Sequence, residues 1–303
     1  MRSIFSKAGS QPGGRPPAAI ELDPQGVLAA ASPGPGKPPV YAFEPMPAGA
    51  LAPGISEQNL RAPEAVATAI RKALGQVSPR THAVTVVLPD TAVRVFVLDF
   101  DSLPSRAAEA LPVLRFRLRK MIPFDVEHAG LSYQVLHESK EECKVLAAVI
   151  PGPILAEYEA VIHQAGYEPG AVLPSSLAAL AGIDSLEAVL VVSLTGLALT
   201  TCITNGEDLL LYRTLDLPED PSVRLDEVQR GVAVAAAYYE DKLQARPTRL
   251  LYSGDGGASE FAGWLKDPEW TVADLVPRPE TGATTSMGSL SVAGVTGALA
   301  GAS

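Results

Sequence analysis

The sequence is poor in cysteine, in histidine clusters, in positive charge and in long apolar runs, and each shortage removes a class of function. Cys143 and Cys202 are the only cysteines in 303 residues, and each sits inside an apolar run. That excludes a disulfide framework and a thiolate metal site, and both are expected to be buried reduced thiols. The four histidines, His82, His128, His137 and His163, are scattered without ligand spacing, so no metal site is expected and they are read as surface or turn residues. Lys and Arg number 24 against 34 Asp and Glu, a net charge of −10. A nucleic-acid backbone is therefore excluded as the main partner, because binding it takes a basic footprint.

The longest apolar stretches, 188–199 and 290–302, fall short of the roughly 20 residues a membrane-spanning helix needs. Residues 1–14 lack the apolar centre of a secretory signal. No membrane span and a soluble, cytoplasmic protein are expected. No Ser/His/Asp motif appears: Ser253 lies in a glycine turn without the nucleophile-elbow pattern. The acidic pairs Glu141-Glu142 and Glu219-Asp220 read as solvated loop charge.

What is present is a body that is 47% hydrophobic and long enough for two lobes with a sizeable core. Residues 1–17, rich in Pro and Gly, read as a disordered tail. Short strands are expected at 18–22 with 27–31 and at 40–44, joined through the Pro/Gly loop 32–39. Residues 64–74 place Ala65, Val66, Ala69, Ile70, Ala73 and Leu74 on one helical stripe, with Gly75 as the stop. Two valine-rich strands, 83–88 and 92–100, are expected to be tightly joined across Pro89-Asp90. Residues 105–122 are helical in tendency, with Pro112 expected to kink or split them. Strands at 131–137, 144–150 and 171–173 flank a helix at 153–165.

The second half begins again with apolar strands at 188–192, 197–203 and 209–215, the last two joined by Asn205-Gly206, a strong hairpin signal. Leu225, Val228, Val232, Ala235, Ala236, Tyr239 and Leu243 mark a long amphipathic helix. A buried strand at 249–252 runs into Ser253-Gly254-Asp255-Gly256-Gly257 and a helix at 259–265. The small-residue segment 288–302 would let a final helix pack closely on a neighbour. Each half thus opens on a hairpin and ends near a helix, a duplicated layout.

Met121-Ile122-Pro123-Phe124, followed by Glu127 and the strand Leu131-Ser132-Tyr133-Gln134-Val135-Leu136, resembles the helix-to-"IPF" segment of the PilM family of type IV pilus assembly proteins. The helix 64–74, the pair Val86-Val87-Leu88-Pro89 and 93–98, the helix 154–165, Gly166-Tyr167-Glu168-Pro169 and the segment 173–180 fall in the same order. The resemblance covers nearly the whole chain after residue 17. It implies an α/β, two-lobed, actin-like ATPase fold of the ribonuclease H-like class, related to FtsA, with a small α/β subdomain inserted in the first lobe. The implied organisation is a tail at 1–17, the first lobe at 18–103, the inserted subdomain at 104–172 and a first-lobe return at 173–187. The second lobe follows at 188–284, and a C-terminal helix at 285–303 returns to the first lobe.

In such a fold each lobe's opening hairpin wraps a phosphate, with an acidic residue to orient metal-bound water and glycine to let the backbone approach. In the first loop, Ile20-Glu21-Leu22-Asp23-Pro24-Gln25-Gly26, Glu21 stands in for the acid. Asp23 falls where glycine is expected, Pro24 removes an amide donor, and Leu28 sits near the lysine position. The second loop, Ser193-Leu194-Thr195-Gly196, has no carboxylate. The adenosine-side loop, with Gly254, Gly256 and Gly257, is the best kept, although a structural turn explains it equally well. The nucleotide site is therefore expected to be degenerate, with no catalytic residue, no hydrolysis, and ATP with magnesium bound weakly or not at all.

The resemblance further implies a non-catalytic adaptor, peripheral to the inner membrane, that binds the short cytoplasmic N-terminal peptide of a PilN-like bitopic protein. Self-association into a ring and contact with the assembly motor are implied with it. The peptide pocket is expected between 88–97 and 118–124, with Leu88, Arg94, Leu118, Met121 and Ile122 as walls and Arg115 and Arg119 as rim. The basic run 115–120 is also read as a solvated helix face, or as a patch meeting an acidic segment or anionic headgroups. Two rivals stand beside this reading. One is an active actin-like ATPase or sugar-kinase relative; the other is the cytoplasmic domain of a type II secretion assembly protein.

Overall fold

The computed structural model describes residues 15–34, 36–183, 185–247, 249–265, 270–278 and 290–300. In chain order the elements are β1 (Ala18–Asp23), β2 (Gly26–Ala31), β3 (Val40–Pro45), α1 (Pro63–Val77), β4 (Ala83–Leu88), β5 (Arg94–Phe100), α2 (Ala107–Leu118), β6 (Gly130–Glu138), β7 (Cys143–Ile150), α3 (Gly152–Gln164), β8 (Glu168–Pro174) and α4 (Ser175–Ala179). They continue with β9 (Ala188–Thr195), β10 (Ala198–Asn205), β11 (Asp208–Asp216), α5 (Pro221–Leu243), β12 (Arg249–Gly254), α6 (Ala258–Leu265), β13 (Thr271–Asp274) and α7 (Ala293–Leu299). The expected tail at 1–17 lies outside the described residues except for its last three, as do 301–303.

Two five-stranded sheets share one topology, β3-β2-β1-β4-β8 and β11-β10-β9-β12-β13. In each, three antiparallel strands come first and two parallel strands are added on the far side of the opening strand. The duplication expected from the hairpins is thus a duplication of strand order. Central parallel strands are covered on both faces and read as continuous apolar runs; Leu190, Val191 and Val192 in β9 are wholly buried. The lobes share a core, for Val191, Cys202, Tyr212 and Leu251 of the second lobe belong to the same buried cluster as Ile20, Val86 and Leu173 of the first. Each fully buried Leu or Ile there contributes roughly 1.5–3 kcal/mol.

The helices mostly follow their periodicity. α1 buries Val66, Ala69, Ile70, Ala73, Leu74 and Val77 against β2 and β3, with Pro63 in its first turn. It does not stop at Gly75: three residues further on, Ser78 caps it in the left-handed region at φ 48°. Pro112 does not split α2, which runs on through it with the proline on the exposed face. α7 lies on α4 and against β1, as a helix returning to the first lobe would. A Cβ on Gly297 would stand 2.0 Å from the carbonyl oxygen of Ala178, so this packing requires glycine.

The excursion between β4 and β8 differs from the sequence expectation. β4 and β5 do not form a tight pair, because β4 is flanked on both edges by β1 and β8. A single turn, Asp90–Ala92, carries the chain out of that sheet, and β5 instead pairs with β7 in a separate three-stranded sheet, β5-β7-β6, backed by α2. Conversely α3 buries Ile154, Tyr158, Val161 and Ile162 in the first-lobe core beside α1, and β8 completes the first-lobe sheet. The separate unit therefore spans 94–150, in place of the expected 104–172. Pairing decides this, since a helix that crosses between two parallel strands belongs to their sheet.

Candidate functional site

The two opening hairpins, β1–β2 and β9–β10, face each other across a cavity of about 530 Å³. Its lining comes from both hairpins, the β12–α6 loop, α5 and α6, and includes Glu21, Asp23, Gln25, Thr195, Arg224, Asp255, Glu260, Tyr252 and Trp264. Gln25 Nε2 donates to Asp255 Oδ2 at 3.0 Å and so closes one end of the cleft between the lobes. The volume falls within the 300–1,000 Å³ range of small-molecule sites.

The first hairpin turns through Pro24-Gln25, and the side chain of Asp23 accepts from the Gln25 amide at 2.8 Å. The amide a phosphate loop would present is thereby taken by the chain's own carboxylate. Glu21 accepts from the Ser175 hydroxyl through Oε1, and its Oε2 is buried with no hydrogen-bond partner. Burial is the main cause that pushes its carboxyl up to about 8, reinforced by Asp23, Asp90 and Asp255. Burial likewise lifts Asp23 to about 6, with Asp255 adding to it.

The second hairpin turns through Gly196-Leu197, with Gly196 at φ 56°. Thr195 Oγ1 donates to Asp90 Oδ2 at 3.0 Å. Asp90 also accepts from the Ser176 amide at 3.1 Å and the Ser176 hydroxyl at 2.9 Å, and the hydroxyls of Ser176 and Tyr212 share a hydrogen bond at 2.5 Å. Burial pushes the Asp90 carboxyl up while these donors hold it back. Sequence reading took Asp90 as half of a turn signal; its burial and its distant partners carried no local signature. Ser193 is buried and its hydroxyl has no hydrogen-bond partner.

The glycine loop after β12 is filled from within. The ring and hydroxyl of Tyr252 stand where a Cβ on Gly254 would be, the Glu260 carboxylate covers Gly256 (φ 77°), and the Arg278 guanidinium covers Gly257 (φ 85°). Arg278 Nη2 donates to the Gly254 carbonyl at 2.6 Å. The close backbone approach that glycine permits is used by this chain's own side chains.

These residues do not fit a magnesium-bound triphosphate. The described lining places four carboxylates, Glu21, Asp23, Asp255 and Glu260, against one cation, Arg224, whose Nε and Nη2 donate to the carbonyls of Pro218 (3.0 Å) and Glu219 (2.7 Å). Among the described residues no group of three or more His, Cys, Asp or Glu side chains is placed to hold a metal ion.

No family model matches the sequence, and no curated protein matches it. Solved structures do. A chain of a PilM–PilN type IV pilus biogenesis complex superimposes with a TM-score of 0.69 at 17% identity, over 93% of this chain and 96% of that one. The cytoplasmic domain of EpsL, an inner-membrane component of the type II secretion system of Vibrio cholerae, gives 0.51 at 13% identity over 93% and 92%. A Bacteroides thetaiotaomicron protein of unknown function with an actin-like ATPase fold gives 0.52 at 11% identity over 86% and 91%. The fold is actin-like. The cavity lies in the cleft between the two lobes of that actin-like body, where the hairpins of both lobes meet.

The residues expected to form a peptide pocket are not brought together. Leu88 is wholly buried in the first-lobe core, whereas Leu118 and Ile122 are buried in the core of the 94–150 unit. None of these three is free to form a wall. Arg94 pairs with Asp216 of β11 at 2.6 Å and ties the small unit to the second lobe. Arg115 is not a rim residue: it donates to the carbonyls of Val126 and Ala129 and fixes the loop after α2. Arg119 pairs with Glu127 on the same loop. Met121 alone of the apolar group is exposed.

The basic run 115–120 lies at the end of α2 and in the turn that follows it. Val113, Phe116, Arg117 and Lys120 recur at i, i+3, i+4 and i+7, and Phe116 is 69% exposed among these cations. Neither Arg117 nor Lys120 has an ion pair among the described residues. Both cysteines are buried and free, and all four histidines are exposed. No helix among the described residues is long and apolar enough to cross a membrane.

Proposed function

We propose that this actin-like chain is a non-catalytic adaptor in a type IV pilus or related secretion assembly platform. It captures the short cytoplasmic tail of a single-pass, PilN-like inner-membrane protein and works peripheral to that membrane, self-associating and contacting the assembly motor. The carrying observation is that each phosphate loop is satisfied internally: the Gln25 amide by Asp23 and the Thr195 hydroxyl by Asp90. A cleft whose donors are already used, and which is lined with carboxylates, repels a triphosphate instead of cradling it. The continuous core between the lobes and the buried Asp90 network also oppose the opening and closing that a nucleotide cycle requires.

The likeness to PilM and to the EpsL cytoplasmic domain supports the assembly-platform part of the reading. For the partner, the face of α2 offers what the expected pocket does not: exposed Phe116, Val113 and Met121 beside Arg117 and Lys120 suit an amphipathic, acidic segment. Affinity capture from the native host, with membranes solubilised, tests this. A single-pass protein with a short cytoplasmic tail should co-elute with the wild-type chain. Recovery of no such protein counts against the adaptor reading. ATP hydrolysis by the purified chain, lost in Glu21→Ala, overturns the non-catalytic part.

A further inference from the structure

We propose that α7 is a releasable clasp on the first lobe, closed over a protonated Glu21 and freed when that carboxyl ionises.

The clasp is short and lightly held. α7 has seven residues, of which only Val295 and Leu299 bring large apolar side chains to the shared core. The Thr296 hydroxyl shares a hydrogen bond with that of Tyr41 at 2.9 Å, and Arg15 Nη1 donates to the Gly297 carbonyl at 3.4 Å. Isolated helices shorter than about 12 residues are marginal in water, so α7 is helical because it is docked. Its release is a local unfolding step.

Glu21 lies directly beneath the first turn of this helix. A Cβ on Gly294 would stand 2.5 Å from Glu21 Oε2 and 2.9 Å from Oε1, so only glycine lets the helix seat there. Oε1 accepts from the Ser175 hydroxyl of α4, while Oε2 is buried with no hydrogen-bond partner. The charged groups acting on this carboxyl are Asp23 on its own strand, Asp90 just past β4 and Asp255 on the β12–α6 loop. All three are acidic. On the neighbouring strands Glu21 stands opposite Leu28 and Val87, and α7 carries no charged residue. Arg15 meets the helix at Gly297, about one turn beyond Gly294.

A neutral carboxyl leaves one polar group unsatisfied in this seat. An ionised one leaves a full charge, which costs far more. Burial, with the three acids adding to it, accordingly lifts the carboxyl to about 8 while α7 is closed. With α7 away, water reaches Oε2 and the value falls towards the ordinary 4.5. The closed state thus holds the proton more tightly than the open one. Closure is full below about 4.5 and weakens as pH rises towards 8.

Hydrogen exchange of the full chain, read by mass spectrometry and corrected for the intrinsic rate at each pH, tests this. Residues 290–300 should open at least about tenfold more often than α3 of the first-lobe core. Between about pH 6 and 8 that opening should increase about three- to tenfold per unit, then level off. Glu21→Gln cannot ionise and should abolish the increase. Gly294→Ala should open the helix at every pH; adding Glu21→Ala, which removes the carboxyl that the methyl meets, should close it again. Opening that is independent of pH, or that rises as steeply in Glu21→Gln, overturns the proposal. So does opening no more frequent than that of α3, since the helix would then leave only with the whole fold. Failure of Glu21→Ala to rescue Gly294→Ala overturns the contact on which the clasp rests.

Discussion

The carboxylate of Asp90, just past the end of β4 in the first lobe, accepts the hydroxyl of Thr195 in the second at 3.0 Å. Thr195 closes the second hairpin, so this buried carboxylate ties that hairpin to the opposite lobe. Its other partners, the amide and hydroxyl of Ser176, extend the link to Tyr212 on β11.

Asp90→Ala leaves three donors, two of them buried, without their acceptor, so a loss of about 2–4 kcal/mol in unfolding free energy is expected. Asp90→Asn keeps one acceptor oxygen for Ser176 and should lose less than half as much. Urea unfolding of the pair checks this. A loss below about 0.5 kcal/mol in the alanine variant, the range of ordinary surface changes, would show that the network does not fasten the lobes.

Glu21 sets a pH dependence of stability. Its folded carboxyl is raised from an ordinary 4.5 to about 8, so the native state holds this proton more tightly than the unfolded chain. The stabilisation from this group is full below about 4.5 and is lost as pH rises towards 8. Glu21→Gln removes the proton and the loss together. The variant should gain roughly 1–3 kcal/mol on the wild type between pH 5 and 8.5. Parallel slopes in the two proteins across that window would refute the assignment.

Gly297 allows α7 to lie directly on α4. In Gly297→Ala the added methyl meets the Ala178 carbonyl, and about 1–3 kcal/mol of overpacking exceeds the gain in helix propensity. Thermal unfolding should fall by several degrees. An unchanged midpoint would mean that α7 does not contribute to the first-lobe core.

Phe116→Asp separates surface from core. Its side chain is mostly exposed, so stability should stay within about 0.5 kcal/mol of the wild type, while capture of the membrane partner is lost. Undiminished capture by a folded Phe116→Asp chain would move the docking surface away from α2.

Much of the fold was legible because it is written in local periodicity. Alternation and the Asn205-Gly206 turn marked β10 and β11, the 3.6-residue stripes marked α1, α3 and α5, and the repeated opening hairpins marked the duplication. That the first hairpin turn offers no amide at Pro24 was legible too, because proline lacks that donor wherever it is placed. Leu88, Leu118 and Ile122 misled, since an apolar residue beside a groove and one inside a core look alike in a sequence.

The sequence by itself determined the elements, their order and the residue types that the two hairpins carry, because those depend on side chains a few residues apart. Tertiary structure alone decided that β5 leaves β4 for β7, since only competition for the edges of β4 excludes it. It alone made Asp90 the fastening of the cleft, through Ser176 and Thr195, 86 and 105 residues away. Such pairings are settled by what remains unsatisfied once both sheets have formed, and no local pattern records that.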